Sequence, residues 1–356
     1  MSTFGTLCSL TVQYSGSGAW TVLSIAWTTP SLVRATPSLH MTTAPMPALP
    51  NGHPSNRASP SRAGPGTTLA LLALTLLGCR PGDGMTEPGS DILPDSSWSL
   101  VWSDEFDGSE LDPDRWSIQV GDGCDQGICG WGNNELQWYQ ADNIQVAGGF
   151  LTITARAESA GGRGYTSARI RTKGKGDWRY GRVDVRARLP TGRGLWPAIW
   201  MLPSDDRYGT WAAGGEIDIM ELVGHEPNRV HGTLHYGGEW PDNTFSGAPF
   251  SLSSGTFADQ FHTFTLEWEE GEIRWYVDGR HYQTQTEWYS TGGPFPAPFD
   301  QPFHLLLNVA VGGNWPGYPD ARTTFPQAMV VDYVRVYQRA DQGDMADPNL
   351  DTGPVP

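Results

Sequence analysis

From residue 98 to residue 339 apolar and polar side chains take turns in one short run after another, at 150–155, 181–189, 261–268, 272–277 and 330–337. A period of two places successive side chains on opposite faces, which suits strands with one face buried and the other wet. Segment 303–311 is nearly all apolar and reads as a strand inside the protein. Gly, Pro, Asn and Asp separate the runs. The pair Asp278-Gly279 is the strongest short signal for a tight hairpin. Long helical patterns are absent, and no repeat of 20–50 residues is present. The expectation is one all-β domain over 98–339, a sandwich of two packed antiparallel sheets.

The flanks differ from this domain. Residues 67–78 form an uncharged, mostly apolar run, too short for a membrane span of about 20 residues but suited to the core of an export signal. Arg57 and Arg62 precede it, and it ends in Leu76-Leu77-Gly78-Cys79. That ending resembles a bacterial lipoprotein cleavage box, which implies a lipid on Cys79 and an exported protein, anchored at the cell envelope or extracellular. The alternative is an ordinary signal peptide. Residues 1–66 read as a leader plus the positive part of the signal. Met41 and Met46 are alternative starts that would leave residues 1–45 untranslated, and no structure is assigned to them. Residues 80–97 read as a Gly- and Pro-rich tether, and 340–356 as a disordered tail.

Of 356 residues, 62 are charged, with a formal net charge of −16. An acidic chain is a poor match for nucleic acid and suits a secreted protein acting on a neutral polymer. Cys124 and Cys129 are the two cysteines of the globular part. In an oxidising compartment they are expected to form a short-loop disulfide. Two cysteines alone make a poor zinc site.

The segment Gly214-Gly215-Glu216-Ile217-Asp218-Ile219-Met220-Glu221 sets three carboxylates within six residues. Like charges so close raise one another's pKa and disfavour folding. A chain accepts them most readily where paired carboxylates do acid/base or nucleophilic work. On a regular strand Glu216 and Asp218 share a face and Glu221 points away. One extra residue, a β-bulge near Ile219-Met220, brings Glu221 back to them. Reaching side chains would then set the two Glu carboxylates about 5–5.5 Å apart, the gap of a retaining glycosidase. A solvated face or a calcium loop is the competing reading, but calcium loops favour irregular backbone rich in Asn and Gly.

The stretch Glu216-Ile-Asp-Ile-Met-Glu221 resembles the signature of glycoside hydrolase family 16 in its bulged form. The opening segment 101–107, Gly132-Asn-Asn-Glu-Leu-Gln137, the segment 194–203, Gly312-Gly-Asn-Trp-Pro-Gly317 and the closing segment 332–337 are similar to its bacterial laminarinase branch, the endo-1,3-β-glucanases. The resemblance covers nearly all of 98–339. It implies a β-jelly-roll with a concave sugar-binding cleft and retaining hydrolysis. Glu216 would be the nucleophile, Glu221 the acid/base and Asp218 the assisting residue. Met220, the extra residue, favours a laminarinase-like or agarase-like branch.

Aromatic and polar residues follow from the same comparison. Trp196, Ala198 and Trp200 share a strand face, and indoles suit the apolar faces of sugars. His235 lies on the face of His231 and Thr233, where the family places a His close to the cleavage point. Asn134 and Arg171 match polar sugar-binding positions. Trp315, and more weakly Trp131, stand in Gly-rich loops from which a ring can be displayed. A structural calcium would draw on Glu105, the Gly149 carbonyl and Asp332. No cofactor is expected for catalysis. The expected partner is a β-glucan, bound by a monomer that meets the membrane only through its lipid. Two other readings stand beside this one: a family 16 hydrolase of mixed-linkage glucan, agarose or carrageenan, and a non-catalytic glucan-binding jelly roll.

Overall fold

The structure, a computed structural model, describes residues 94–339 and the backbone of two short strands, Cys8–Leu10 and Leu23–Ile25. The chain divides into two units at Cys79 and Arg80. In the first, those strands pair antiparallel, Cys8 with Ile25 and Leu10 with Leu23, in a segment to which the sequence reading assigns no structure. Both triplets place a serine between two apolar or sulfur residues, the period of a strand. The run 67–78, Cys79 and the tail 340–356 lie outside the described residues. Among the described residues no helix is long and apolar enough to cross a membrane.

Two eight-stranded sheets make the domain. One runs in the order Asn243–Ser251, Arg229–Gly237, Glu216–Glu221, Leu195–Pro203, Phe303–Val311, Arg169–Arg171 and Ser117–Gln119, with Asp177–Trp178 also on Phe303–Val311. The other runs Arg280–Gln285, Glu272–Val277, His262–Glu269, Gly181–Arg188, Gln327–Arg339, Phe150–Ala155 and Ile144–Ala147, with Trp98–Asp104 also on Gln327–Arg339. Every neighbouring pair in both is antiparallel. This is the expected jelly-roll sandwich. The alternating runs became strands within a few residues of where their period predicts them. The Asp278-Gly279 pair forms the two-residue turn between Val277 and Arg280, with φ of 50° and 70°. Both values lie in the left-handed region that such turns require.

The core lies between the sheets. Ile199, Ile217, Leu234, Leu305, Leu307 and Val309 from the first meet Val185, Phe264, Leu266, Trp268, Trp275 and Val334 from the second. Each such side chain, fully buried, contributes about 1.5–3 kcal/mol relative to exposure. All nine residues of Phe303–Val311 are buried. The structure joins Cys124 to Cys129, as their spacing suggests.

Candidate active site

Glu216–Glu221 lies between Leu195–Pro203 and Arg229–Gly237. Against Arg229–Gly237 it pairs Glu216 with His235 and Asp218 with Thr233, then jumps to Glu221 with His231. Three steps on one strand oppose two on the other. Against Leu195–Pro203, Asp218 pairs with Trp200 and Met220 with Ile199. This is the bulge expected at Ile219-Met220, and it restores Glu221 to the face of Glu216 and Asp218. Ile217, Ile219 and Met220 turn into the core.

The opposite sheet supports the bulge. Trp275 donates its indole N–H to the Asp218 carbonyl at 2.8 Å. Gly232, on the neighbouring strand, makes room for that ring. A Cβ there would stand 2.5 Å from Trp275 Cδ1 and 2.6 Å from the Tyr282 hydroxyl.

Each catalytic candidate is held by an indole. Trp196 Nε1 donates to Glu221 Oε1 at 2.9 Å, and Trp211 Nε1 donates to Glu216 Oε2 at 2.9 Å. His235 Nε2 lies 3.4 Å from Asp218 Oδ2 and 3.8 Å from Glu216 Oε1. Burial, then the charge of Asp218, raises Glu216 to about 7, against the opposing pull of His235 and the Trp211 hydrogen bond. Burial also pushes Glu221 well above the usual carboxylate range, with Asp218 and Glu216 adding to it. For His235, burial opposes the charge, but Asp218, Glu216 and Glu221 outweigh it and lift the imidazole to about 9.

Aromatic rings flank the carboxylates. Trp315, 42% exposed, meets Trp196 edge-on at 5.6 Å and His231 at 5.1 Å. On another flank Trp211 lies 5.8 Å from His235 and 6.5 Å from Trp240, and Phe245 lies 5.7 Å from His235. Trp240 and Phe245 are 72% and 67% exposed. Trp200 is half-buried and donates to Asn308 Oδ1 at 2.8 Å. Asn308 donates in turn to the Tyr139 hydroxyl, which donates to Glu135, each at 3.2 Å. Burial raises Glu135 above its ordinary value.

Several sequence expectations change here. Trp131 is not displayed: it is 5% exposed, with the Arg169 guanidinium 4.3 Å from its ring centre and its own N–H on the Gly121 carbonyl. Asn134 does stand exposed, but its amide donates to Asn314 Oδ1 at 2.8 Å. Asn314 N also donates to the Asn133 carbonyl, so this pair ties two loops together beside Trp315. Arg171 shares a face with Arg169, since Ile170 between them is core. Arg169 is the one whose charge acts on Glu216, and it lies between Trp131 and Trp200, 4.7 Å from the latter. Two residues of the expected calcium set have protein partners. Both oxygens of Glu105 accept from Arg335, and Asp332 is engaged by Arg186.

The sequence reading missed Arg169, Trp211, Trp240 and Phe245. Trp211 carried the same signal as Trp315, an indole in a Gly-containing link, five residues before Glu216. Arg169 had the same alternation as Arg171. Phe245 looks like any apolar strand residue, and only the edge position of its strand exposes it.

Comparison with known proteins bears on the whole arrangement. The family description "Glycosyl hydrolases family 16" matches residues 132–335. The chain is 47% identical over 258 residues to the glucan endo-1,3-beta-glucosidase A1 of Niallia circulans, aligning 67% of this chain with 38% of that protein. The chain thus spans well under half the length of that relative. It is 46% identical over 290 residues to the beta-glucanase of Rhodothermus marinus, covering 76% of this chain and 93% of that one. Among solved structures, the laminarinase catalytic domain from Thermotoga maritima MSB8 superposes with a TM-score of 0.62 at 43% identity, over 68% of this chain and 98% of that one. The match takes in the bulged carboxylate strand and more than half of the chain, and the chain belongs to family 16 of the glycosyl hydrolases.

Proposed function

We propose that the protein hydrolyses β-1,3-glucan of the laminarin type within the chain and with retention at the anomeric carbon. The observation that carries this is the bulge, which puts Glu221 on the face of Glu216 and Asp218 and leaves both glutamates with raised pKa values. Such a pair offers one proton and one electron pair to the same glycosidic bond.

Glu221, held by Trp196, protonates the leaving oxygen. Glu216, in its carboxylate form, attacks the anomeric carbon and makes a glycosyl ester as the C–O bond breaks. Glu221, now deprotonated, takes a proton from water, which attacks the same carbon and frees Glu216. His235 and the Trp211 N–H favour the ionised nucleophile, since both lower its pKa. Asp218 is a positioning residue, 3.4 Å from His235. Trp196, Trp315 and Trp200 offer ring faces and edges to sugars, with Trp211, Trp240 and Phe245 extending that aromatic surface.

Glu216→Ala and Glu221→Ala should each abolish release of oligosaccharides from laminarin while circular dichroism stays that of the wild type. Loss of the acid/base alone is worth about 10²–10⁴-fold. Full activity in Glu221→Gln would show that the roles are misassigned. Laminarin, lichenan, curdlan, agarose and carrageenan, compared side by side, separate the 1,3-glucan reading from other family 16 substrates.

We also propose that residues 67–78 direct export and that Cys79 carries lipid, with the domain acting as a monomer. Support for the export and the lipid is the uncharged apolar run ending in Leu76-Leu77-Gly78-Cys79. Cys79→Ser should move the protein from the detergent phase to the aqueous phase on phase partitioning. Partitioning unchanged by that substitution would reject the lipid.

A further inference from the structure

We propose that Asn308, Tyr139 and Glu135 are positioning residues for the reaction, a buried one-way chain of hydrogen bonds that fixes the plane of the Trp200 ring beside Asp218. Their role presupposes the hydrolysis proposed for Glu216 and Glu221. Trp200 pairs with Asp218 across neighbouring strands. Ile199 and Met201, on either side of it, turn into the core, so the Trp200 ring stands on the carboxylate face. A sugar at the point of cleavage meets that ring.

The direction of the chain is set by what each group can do. An indole only donates, and the Trp200 N–H lies 2.8 Å from Asn308 Oδ1. The amide nitrogen of Asn308 then donates to the Tyr139 oxygen at 3.2 Å. Tyr139 accepts there and donates its own proton to Glu135 Oε2, also at 3.2 Å. Gln137 Oε1 is taken by the Val311 N–H, so its amide nitrogen donates to the same Glu135 oxygen at 2.7 Å. Asn133 donates to Glu135 Oε1 at 3.3 Å. An ionised carboxylate accepts all three of these donors. Tyr139 and Gln137 are 0% exposed, and Glu135 and Asn308 are 5% exposed, which strengthens each bond in the chain.

The ring is also held by one face. The Arg169 guanidinium lies 4.7 Å from the centre of Trp200 and 4.3 Å from that of Trp131, a cation between two indoles. Arg169 Nε donates to Gln119 Oε1 at 2.7 Å, and Trp131 packs on Tyr139 at 5.5 Å. With its N–H and one face engaged, Trp200 keeps the other face for a sugar.

Tyr139→Phe removes one oxygen and cuts the chain in the middle. It should lower kcat on laminarin by up to about 10²-fold with KM little changed, because a ring out of plane misplaces the reacting sugar. Trp200→Phe keeps a ring and removes the N–H that starts the chain. Adding Tyr139→Phe to it should cost nothing further, whereas a merely structural loss is the same in both backgrounds. Tyr276→Phe, which removes a hydroxyl from the other sheet, should keep kcat. A second readout needs no substrate. The Trp200 indole N–H, assigned in the NMR spectrum by its absence from Trp200→Phe, should shift in Tyr139→Phe. In the wild type it should exchange with solvent more slowly than the indole N–H of Trp240, a measurement that stands even where Tyr139→Phe fails to fold. If laminarin is not cleaved, the substrate reading fails, and the chain is judged by that N–H and by kcat on the polysaccharide that is cleaved. Unchanged kcat in folded Tyr139→Phe, an equal loss in the Trp200→Phe background, or rapid exchange of the wild-type N–H would overturn the proposal.

Discussion

Glu216 and Glu221 hold protons more tightly than free glutamates because they are buried beside each other and beside Asp218. The consequence for stability has a definite sign. Glu216 is raised from 4.5 to about 7 in the folded protein, so its contribution is complete below about 4.5 and is lost as pH rises through about 7. His235 is raised from 6.5 to about 9, so its contribution is complete below about 6.5 and is lost through about 9. Both act in one direction, and the melting temperature should fall between pH 6 and 9. Glu216→Gln removes one part of that loss. It should melt higher than the wild type at pH 8, with the advantage shrinking toward pH 5. A variant that melts lower at pH 8 would mean that the Glu216 charge is stabilising where it stands.

The bulge is the element on which the site depends. A strand with period two cannot put Glu216, Asp218 and Glu221 on one face, and the extra residue Met220 makes that arrangement legible from spacing alone. The support beneath it was not legible. Trp275 and Gly232 are distant in sequence from the carboxylates, and both fit any buried strand pattern. Only the packing of the two sheets shows the indole reaching the Asp218 carbonyl through the space that Gly232 leaves. Gly232→Ala should therefore destabilise the fold by about 1–3 kcal/mol through overpacking. Trp275→Phe should cost at least about 1–3 kcal/mol by orphaning a buried carbonyl. Denaturant titration measures both. Each folded variant should also lose kcat on laminarin, because the bulge sets the position of Glu221. Unchanged kcat in folded Gly232→Ala would separate the bulge from that support.

The strand runs that define the whole molecule were readable because each buries one face against a single core, and the carboxylate strand could be placed within them. The aromatic surroundings were read less well. A Gly-rich loop says that an indole is free to stand out, yet Trp131 folded inward under Arg169 while Trp315 reached the Trp196 ring and Trp211 reached Glu216. Loop composition does not specify which way a ring turns. Charge acts at the level of the whole chain. With a net charge of −16, the protein should repel sulfated galactans, more so at low salt. Activity on carrageenan equal to that on laminarin at low ionic strength would contradict this. The proposed mechanism makes Glu216 the group that bonds to sugar, and a mechanism-based fluoro-glucoside tests that most directly. After reaction and peptide mass spectrometry, one glycosyl adduct is predicted on Glu216. An adduct on Glu221, or hydrolysis with inversion and no adduct, would contradict the account.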